Sequence, residues 1–240
     1  MISLYSHFEQ LLYGILPYVA MFVFFLVTIV RYRVQTFTYS SLSSQFLENQ
    51  LHFWGMVPFH YGIIVILTGH LVAFLIPEQL LAWNNVPWRL YVLEMSALIF
   101  GFLALTGLVN LMVRRKTFSK IVEVTTTIDW ILLLLLVIQI GLGIFVAVVH
   151  RWGSSWFATS MAPYLWSLVK MNPDISYVIG LPLAVKLHII NTWIIVGFFP
   201  FTRLVHILVV PNPYLWRKTQ VVRWYRDRRA SQQAGHRERA

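Results

Sequence analysis

Residues 183–210 read LAVKLHIINTWIIVGFFPFTRLVHILVV, a long apolar run that contains two histidines, His188 and His206. At about 100° per residue, a spacing of eighteen positions closes on five full turns, so both imidazoles are predicted to face one side of a helix. Their separation of about 27 Å along the helix axis is close to the hydrocarbon thickness of a bilayer. One histidine is therefore expected near each membrane face, at a depth where an ionisable side chain usually has a function.

The composition of the whole chain supports a membrane location. Of the 240 residues, 58% are hydrophobic and 12% are charged, and the mean hydropathy is +0.66. A water-soluble domain of this length would leave too much apolar surface exposed. The chain is therefore predicted to be an all-α integral membrane protein with five transmembrane helices, at about residues 11–30, 58–76, 91–113, 129–149 and 183–209. These lie in a membrane domain of residues 1–216, followed by a basic tail at residues 217–240.

The positive charges are distributed unevenly between the two sides of this arrangement. Fifteen of the nineteen Lys and Arg residues fall on one side, and the other side has Arg89, Arg151, Lys170 and Lys186. The positive-inside rule then puts the N-terminus outside and the C-terminus in the cytoplasm of a multi-pass protein of the inner (plasma) membrane. Because the charge follows the topology, the net charge of +10 does not indicate a nucleic acid partner. The basic tail is expected either to contact membrane lipid or to dock a cytoplasmic partner.

The chain contains no cysteine. Disulfides, a cysteine-ligated iron–sulfur cluster and covalent attachment of a c-type haem are therefore excluded. Any metal-based redox chemistry within this chain must use histidine.

A second run with histidines, His52, His60 and His70, begins just before the second predicted span and continues through it. Pro58 fits the first turn of a helix, which would put His60 just inside that helix and His52 outside it. The spacing favours the opposite choice, because His52 and His70 are eighteen residues apart, like the pair in the fifth span, whereas His60 and His70 are only ten apart, about 15 Å along the axis. The residues alone leave both assignments open.

Two helices that each carry a pair of histidines suggest haem binding, since neutral imidazole is an axial ligand of haem iron. The second and fifth spans run antiparallel. His206 should therefore meet the first histidine of the second span near the cytoplasm, and His70 should meet His188 nearer the outer face. Two bis-histidine haems stacked across the bilayer would carry electrons. A proton relay, as in a transporter, and plain helix packing remain the alternatives.

Four blocks of sequence, FHYGIIVILTGH, TTTIDWILLLLLVIQIGLG, VKLHIINTW and FPFTRLVHI, resemble the gamma subunit of membrane-bound respiratory nitrate reductase, a five-span di-haem cytochrome b. The similarity runs in the same order from about residue 13 to 223. It implies two haem b groups, with His60 and His206 as ligands of the haem nearest the cytoplasm and His70 and His188 as ligands of the outer haem. The unequal spacing of the two pairs would then be absorbed by helix tilt, a kink at Pro200 and unequal haem heights.

The resemblance also implies an activity and partners. A quinol would be oxidised near the outer haem with release of protons to the outside. Electrons would then pass to an iron–sulfur beta subunit and a molybdenum-containing alpha subunit on the cytoplasmic side, where nitrate is reduced. Related cytochromes serve sulfite or heterodisulfide reductases, which remain alternatives.

Further residues are candidates for contact with the cofactors. Cationic side chains near the inner membrane edge are expected to pair with haem propionates; they are Arg203, Arg114 and Arg115. The expected quinol contacts at the outer side are Arg89, Lys186, Trp88 and Tyr91. Aromatic side chains at this level are also explained by the belts that form at membrane interfaces.

Overall fold

The computed structural model describes residues 7–34 and 50–209, so the basic tail predicted at residues 217–240 lies outside the described residues. Within the described part the regular elements are helical, and five helices are long and apolar enough to cross a membrane. We number them α1 to α5: His7–Val34, Gln50–Leu75, Pro87–Thr117, Thr127–Val149 and Leu183–Phe198. Large apolar side chains such as Phe22 and Ile99 remain exposed on these helices, as expected where a helix faces lipid.

The five helices pack as a row. In it α2 contacts α3, α3 contacts α4, α4 contacts α5 and α5 contacts α1. Successive helices alternate in direction, so α1, α3 and α5 begin at one end of the bundle, while α2 and α4 begin at the other. We call these the His188 end and the His206 end, after the histidine that lies nearest to each.

Small residues let α2 and α3 approach to backbone contact. A Cβ atom on Gly62 would lie 2.6 Å from the backbone nitrogen of Ala104, and one on Gly107 would lie 2.4 Å from the backbone nitrogen of Phe59. Neither position has space for a side chain. The contact therefore resembles the small-residue interfaces typical of membrane helices, and it holds the histidine-bearing α2 firmly against its neighbour.

The predicted start of the second span is wrong. Helix α2 covers Gln50–Leu75, so Pro58 lies inside it and His52 is helical. A proline inside a helix removes one N–H and leaves the carbonyl four residues earlier without its helical partner. That carbonyl belongs to Trp54, and Asn110 of α3 donates to it at 3.4 Å. Helix α2 therefore continues through Pro58 because a neighbouring helix satisfies the freed backbone group.

The prediction of one helix through residues 183–209 is also wrong. Helix α5 ends at Phe198 and is followed by a 3-10 turn, Phe199–Phe201, an extended residue, Thr202, and a second 3-10 segment, Arg203–Val209. Pro200 is the physical cause, since its ring displaces a helical hydrogen bond.

This break lies between the two histidines of the fifth span. From His188 to Phe198 the chain advances ten residues in continuous helix, the same number that separates His60 from His70 in α2. The remaining eight residues to His206 pass through the interrupted segment. His188 and His206 therefore do not lie on one face of a single helix.

Short helices cover the His188 end: Pro77–Asn84, Gly153–Trp156, Ala162–Val169 and Ser176–Ile179. The third of these is tied to α1 by two tyrosines. Tyr164 donates to the carbonyl of Tyr13 at 2.7 Å, and Tyr18 donates to the carbonyl of Leu168 at 3.0 Å. Burial raises the pKa of the Tyr164 phenol above its usual value, so this group remains a hydrogen-bond donor at physiological pH.

Candidate functional site

Two imidazoles face each other at the His206 end of the bundle. The ring centroids of His60 and His206 lie 6.3 Å apart, with 62° between the ring planes. A histidine nitrogen lies about 2.0 Å from the metal that it binds, so one iron between two opposed imidazoles separates the ring centroids by about 6 Å. This pair therefore fits a single iron held from both sides. His52, the alternative partner on spacing, lies about two turns earlier in α2.

Three of the four histidines share one hydrogen-bond pattern. In each, Nδ1 bonds a backbone carbonyl about one turn earlier: His60 with Met56 at 2.8 Å, His70 with Ile66 at 2.9 Å and His206 with Arg203 at 2.7 Å. A carbonyl oxygen only accepts, so the proton lies on Nδ1 and the lone pair lies on Nε2. Metal-ligating histidines have this arrangement, in which the second ring nitrogen donates to a fixed acceptor.

His70 and His188 occupy corresponding positions in their helices at the His188 end. His70 is five residues before the last residue of α2, Leu75, and His188 is five residues after the first residue of α5, Leu183. A Cβ atom on Gly143 of α4 would lie 3.2 Å from Cε1 of His188. This glycine therefore lets the His188 ring pack directly on the α4 backbone.

His188 is held by a side chain of another helix rather than by its own backbone. Gln139 of α4 donates to its Nε2 at 3.1 Å, and its Nδ1 is buried without a hydrogen-bond partner among the described residues. Asn191 orients the amide, because it donates to Gln139 Oε1 at 2.8 Å and to the carbonyl of Leu135 at 3.0 Å. Iron binds only a ring nitrogen that carries no proton, so the other nitrogen of His188 then needs an acceptor. Gln139, whose amide has an oxygen as well as an NH₂ group, is within reach.

These pairs are the candidate metal sites. Within residues 7–34 and 50–209, no group of three or more His, Asp or Glu side chains is arranged to hold a metal ion. The donor set at each end is instead two imidazoles from different helices. That set suits a metal whose other ligands come from a cofactor, as in bis-histidine haem.

The arginines predicted near the haem edge gather at the His206 end around Asp129, which is 4% exposed. Arg203 binds this carboxylate through two nitrogens, Nε to Oδ1 at 2.6 Å and Nη2 to Oδ2 at 2.8 Å. Arg115 lies 3.7 Å from Oδ2 and donates to Thr125 at 3.2 Å. Arg114 is buried as well, at 2% exposure. The partner of Arg203 in the protein is thus a carboxylate that sequence reasoning missed.

Asp129 also caps the start of α4. Its carboxylate accepts from the backbone nitrogen of Thr126 at 3.0 Å, and its own backbone nitrogen donates to the Thr126 hydroxyl at 3.3 Å. This reciprocal arrangement is a capping box, and the T-x-x-D spacing is a recognisable signal for it. The pairing with Arg203, seventy-four residues away, has no such local signal.

Two of the residues predicted to contact quinol lie together at the His188 end. The Arg89 guanidinium lies 5.0 Å from the ring centroid of Trp83 and 5.7 Å from that of Trp88. Both distances are within the range of a cation–π interaction. Tyr91 packs edge-on against Trp152 with the ring centroids 5.2 Å apart. Arg89 and Trp88 therefore form one cluster, and Tyr91 has a different aromatic neighbour.

Lys186, the fourth residue predicted to contact quinol, is tied to α1. Its Nζ lies 2.9 Å from Oε1 of Glu9, and both side chains are largely buried, at 17% and 24% exposure. The ammonium is therefore engaged by a carboxylate of the same chain.

Comparison with known proteins identifies close relatives over most of the length. A family profile described as nitrate reductase gamma subunit matches residues 9–225. The chain is 31% identical over 217 residues to the nitrate reductase gamma chain of Bacillus subtilis, covering 89% of this chain and 97% of that protein. It is 33% identical over 217 residues to respiratory nitrate reductase 1 gamma chain of Escherichia coli, and 32% identical over 215 residues to the corresponding chain of nitrate reductase 2. Each of these two alignments covers 88% of this chain and 95% of the relative.

Proposed function

Because the chain belongs to the nitrate reductase gamma subunit family, whose members are membrane cytochrome b subunits of nitrate reductase, we propose that it oxidises quinol at the His188 end and delivers the electrons to its partner subunits at the His206 end. The chain is part of an enzyme complex and associates with other nitrate reductase subunits. Electrons would cross from one end to the other through two b haems, one bound at each end.

The observation that carries this proposal is the separation of His60 and His206. Two imidazoles from α2 and the end of α5 lie at the distance that one iron requires, and both present Nε2 because a backbone carbonyl binds Nδ1. Packing alone does not require this geometry. A proton relay needs hydrogen bonds from ring to ring, whereas Nδ1 of each ring in this pair bonds a backbone carbonyl about one turn earlier.

The residues would act as follows. His60 and His206 would hold the haem at the His206 end, and His70 and His188 would hold the one at the His188 end. When bound, each haem supplies an iron that accepts and releases one electron. The glycine at position 143 and the Gln139 amide position the His188 ring, and α3 and α4 hold α2 and α5 at a fixed distance.

Quinol is proposed to bind at the His188 end, where Arg89, Trp88, Tyr91 and Lys186 lie near the helix starts. A cation and flat aromatic rings suit an oxygen-bearing aromatic ring, the former through hydrogen bonds and the latter through stacking. Arg89 already lies against two indoles, so it is the residue best prepared to donate to a quinol oxygen.

The distribution of positive charge supports a proposal for which end of the bundle faces the cytoplasm. Fifteen of the nineteen Lys and Arg residues belong to the segments that flank the His206 end or follow it, and such segments stay in the cytoplasm. The His206 end is therefore proposed to face an iron–sulfur beta subunit and a molybdenum-containing alpha subunit in the cytoplasm, with the N-terminus outside. The membrane is proposed to be the inner (plasma) membrane, and protons from quinol leave on the outer side.

Arg203, Arg114 and Arg115 remain proposed partners of haem propionates at the cytoplasmic edge.

The test is to purify the complex that this chain forms in the membrane and to measure its haem, its metals and its quinol-dependent nitrate reduction. We expect two haems b per chain, molybdenum and iron in the partner subunits, and oxidation of a reduced quinol analogue coupled to nitrate reduction. A colourless chain would favour a histidine relay. A complex with haem but without molybdenum, active on sulfite or a heterodisulfide, would favour one of the related reductases; the family match favours nitrate.

A further inference from the structure

The segment that carries His206 is not held in place by helix continuity. Helix α5 ends at Phe198, and Thr202 is extended, with φ −108° and ψ 178°. The 3-10 segment Arg203–Val209 therefore begins as a separate element. The hydroxyl of Thr202 accepts from the backbone nitrogen of Leu204 at 3.1 Å and so caps the segment locally. Its position relative to α2 must be fixed by other contacts.

The strongest of these contacts is an ion pair with α4. Asp129 accepts both Nε and Nη2 of Arg203, at 2.6 and 2.8 Å, and Nη2 also donates to the carbonyl of Val124 at 3.0 Å. Two parallel N–H···O bonds to a carboxylate fix the plane of the guanidinium as well as its distance. The carboxylate is 4% exposed and is itself fixed by the capping box with Thr126. The first residue of the segment is thus attached to a rigid helix start.

The same arginine holds the imidazole through its backbone. The carbonyl of Arg203 accepts from Nδ1 of His206 at 2.7 Å, and the ring of His206 faces that of His60. A continuous path of hydrogen bonds therefore leads from the carboxylate of α4, through one residue, to the ring that faces α2. Hydrogen-bond partners of this kind set the orientation of a metal-binding histidine.

We propose that Asp129 is a positioning residue for the haem ligand His206: through Arg203 it sets where the imidazole lies and how it is oriented. This rests on the proposed function, which assigns His60 and His206 to one haem. Asp129 itself lies on neither histidine-bearing helix. Loss of its charge should loosen the segment Arg203–Val209 and weaken one haem site, while the other site, built on His70, His188 and Gln139, keeps its contacts.

The experiment compares Asp129→Asn, Asp129→Glu and Asp129→Ala with a matched control, Glu123→Gln, in the full complex purified from membranes. Glu123 is exposed in the same loop, so its substitution removes the same charge without touching Arg203. The readouts are haem per chain, the electron paramagnetic resonance signal of each ferric haem, and the midpoint potential of each haem by redox titration.

We expect Asp129→Asn to shift the signal and the potential of one haem only, and Asp129→Ala to lower the affinity for that haem by roughly 10- to 100-fold. Asp129→Glu should restore part of the effect, and Glu123→Gln should match the wild type. The affected haem should be the one that His206→Ala removes. If the Asp129→Ala complex fails to assemble, the Asp129→Asn variant still tests the positioning role, because asparagine is nearly identical to aspartate in shape.

Unchanged signals in Asp129→Asn and Asp129→Ala, with two haems in the wild type, would contradict this inference and leave the proposed function intact. An equal loss of both haems would also contradict it, because Asp129 would then serve the fold as a whole. A wild-type complex without haem would instead refute the proposed function.

Discussion

Asn110 of α3 donates its side-chain amide to the carbonyl of Trp54 in α2, at 3.4 Å. This carbonyl is the one left without a helical partner by Pro58, four residues later. One residue of a neighbouring helix thus lets α2 continue as a helix up to His60. The contact explains how a proline is accommodated two residues before a proposed haem ligand.

Asn110→Leu should lower the free energy of unfolding by about 1 kcal/mol, because a carbonyl in a membrane-spanning helix loses its partner. Denaturation of the detergent-solubilised complex measures the change. Thr106→Val is a suitable control, since the Thr106 hydroxyl bonds a carbonyl of its own helix. In a Pro58→Ala background the backbone nitrogen of residue 58 can bond Trp54 again, so the cost of Asn110→Leu should nearly disappear. An equal cost in both backgrounds would show that Asn110 acts elsewhere.

Gln139 is expected to control the haem proposed to be held by His70 and His188, because its amide contacts a ring nitrogen of His188 from another helix. Gln139→Glu supplies a charged acceptor for the imidazole N–H, which favours the ferric state, so the midpoint potential should fall. Each tenfold change in the relative stability of the two oxidation states corresponds to about 60 mV for one electron. Redox titration of both haems measures this. The second haem provides the internal control, and equal shifts in both would count against a local effect.

The pair of Lys186 and Glu9 allows a double-mutant cycle. If Lys186 serves only to tie α5 to α1, then Lys186→Met, Glu9→Gln and the double variant should lower stability by similar small amounts, about 1 kcal/mol or less. If Lys186 also contacts quinol, as proposed, Lys186→Met should raise the KM for quinol while Glu9→Gln should not. Thermal denaturation and quinol kinetics on the same four proteins separate the two roles. An unchanged KM in Lys186→Met would remove this residue from the quinol site.

Arg89→Ala should raise the KM for quinol several-fold and leave haem content unchanged, since the guanidinium lies against Trp83 and Trp88 rather than against a histidine. Steady-state kinetics with a water-soluble quinol analogue measure this effect. Arg151→Ala is the matched control, because Arg151 is an exposed cation at the same end of the bundle. If both variants behave alike, the effect comes from the local charge and not from a binding contact.

The fold was largely predictable because membrane spans depend on properties that a sequence displays directly, namely length and apolar character. All five spans were found in this way. The two wrong boundaries both involve proline. Pro58 was expected to start a helix and instead lies inside one, because Asn110, fifty-two residues away, satisfies the carbonyl that it frees. Pro200 was expected to kink a helix and instead ends it.

The candidate site was predictable in part for the same reason. Histidines in apolar helices stand out, and the facing pair of His60 and His206 joins two of those singled out from the sequence. Gln139 and Asp129 were not among the predicted site residues, because their contacts with His188 and Arg203 join positions forty-nine and seventy-four residues apart. No local pattern reports such contacts. They become visible only when the fold brings the helices together.

We propose that four histidines, from α2, α5 and the 3-10 segment that follows α5, hold two haems, and haem analysis of single alanine variants tests this most directly. Each of His60→Ala, His206→Ala, His70→Ala and His188→Ala should reduce the haem content from two per chain to one. The first two variants should lose the same haem, as identified by its spectrum and potential, and the last two should lose the other. His52→Ala should keep both. Full haem content in any of the four variants, or loss of a haem in His52→Ala, would contradict the account.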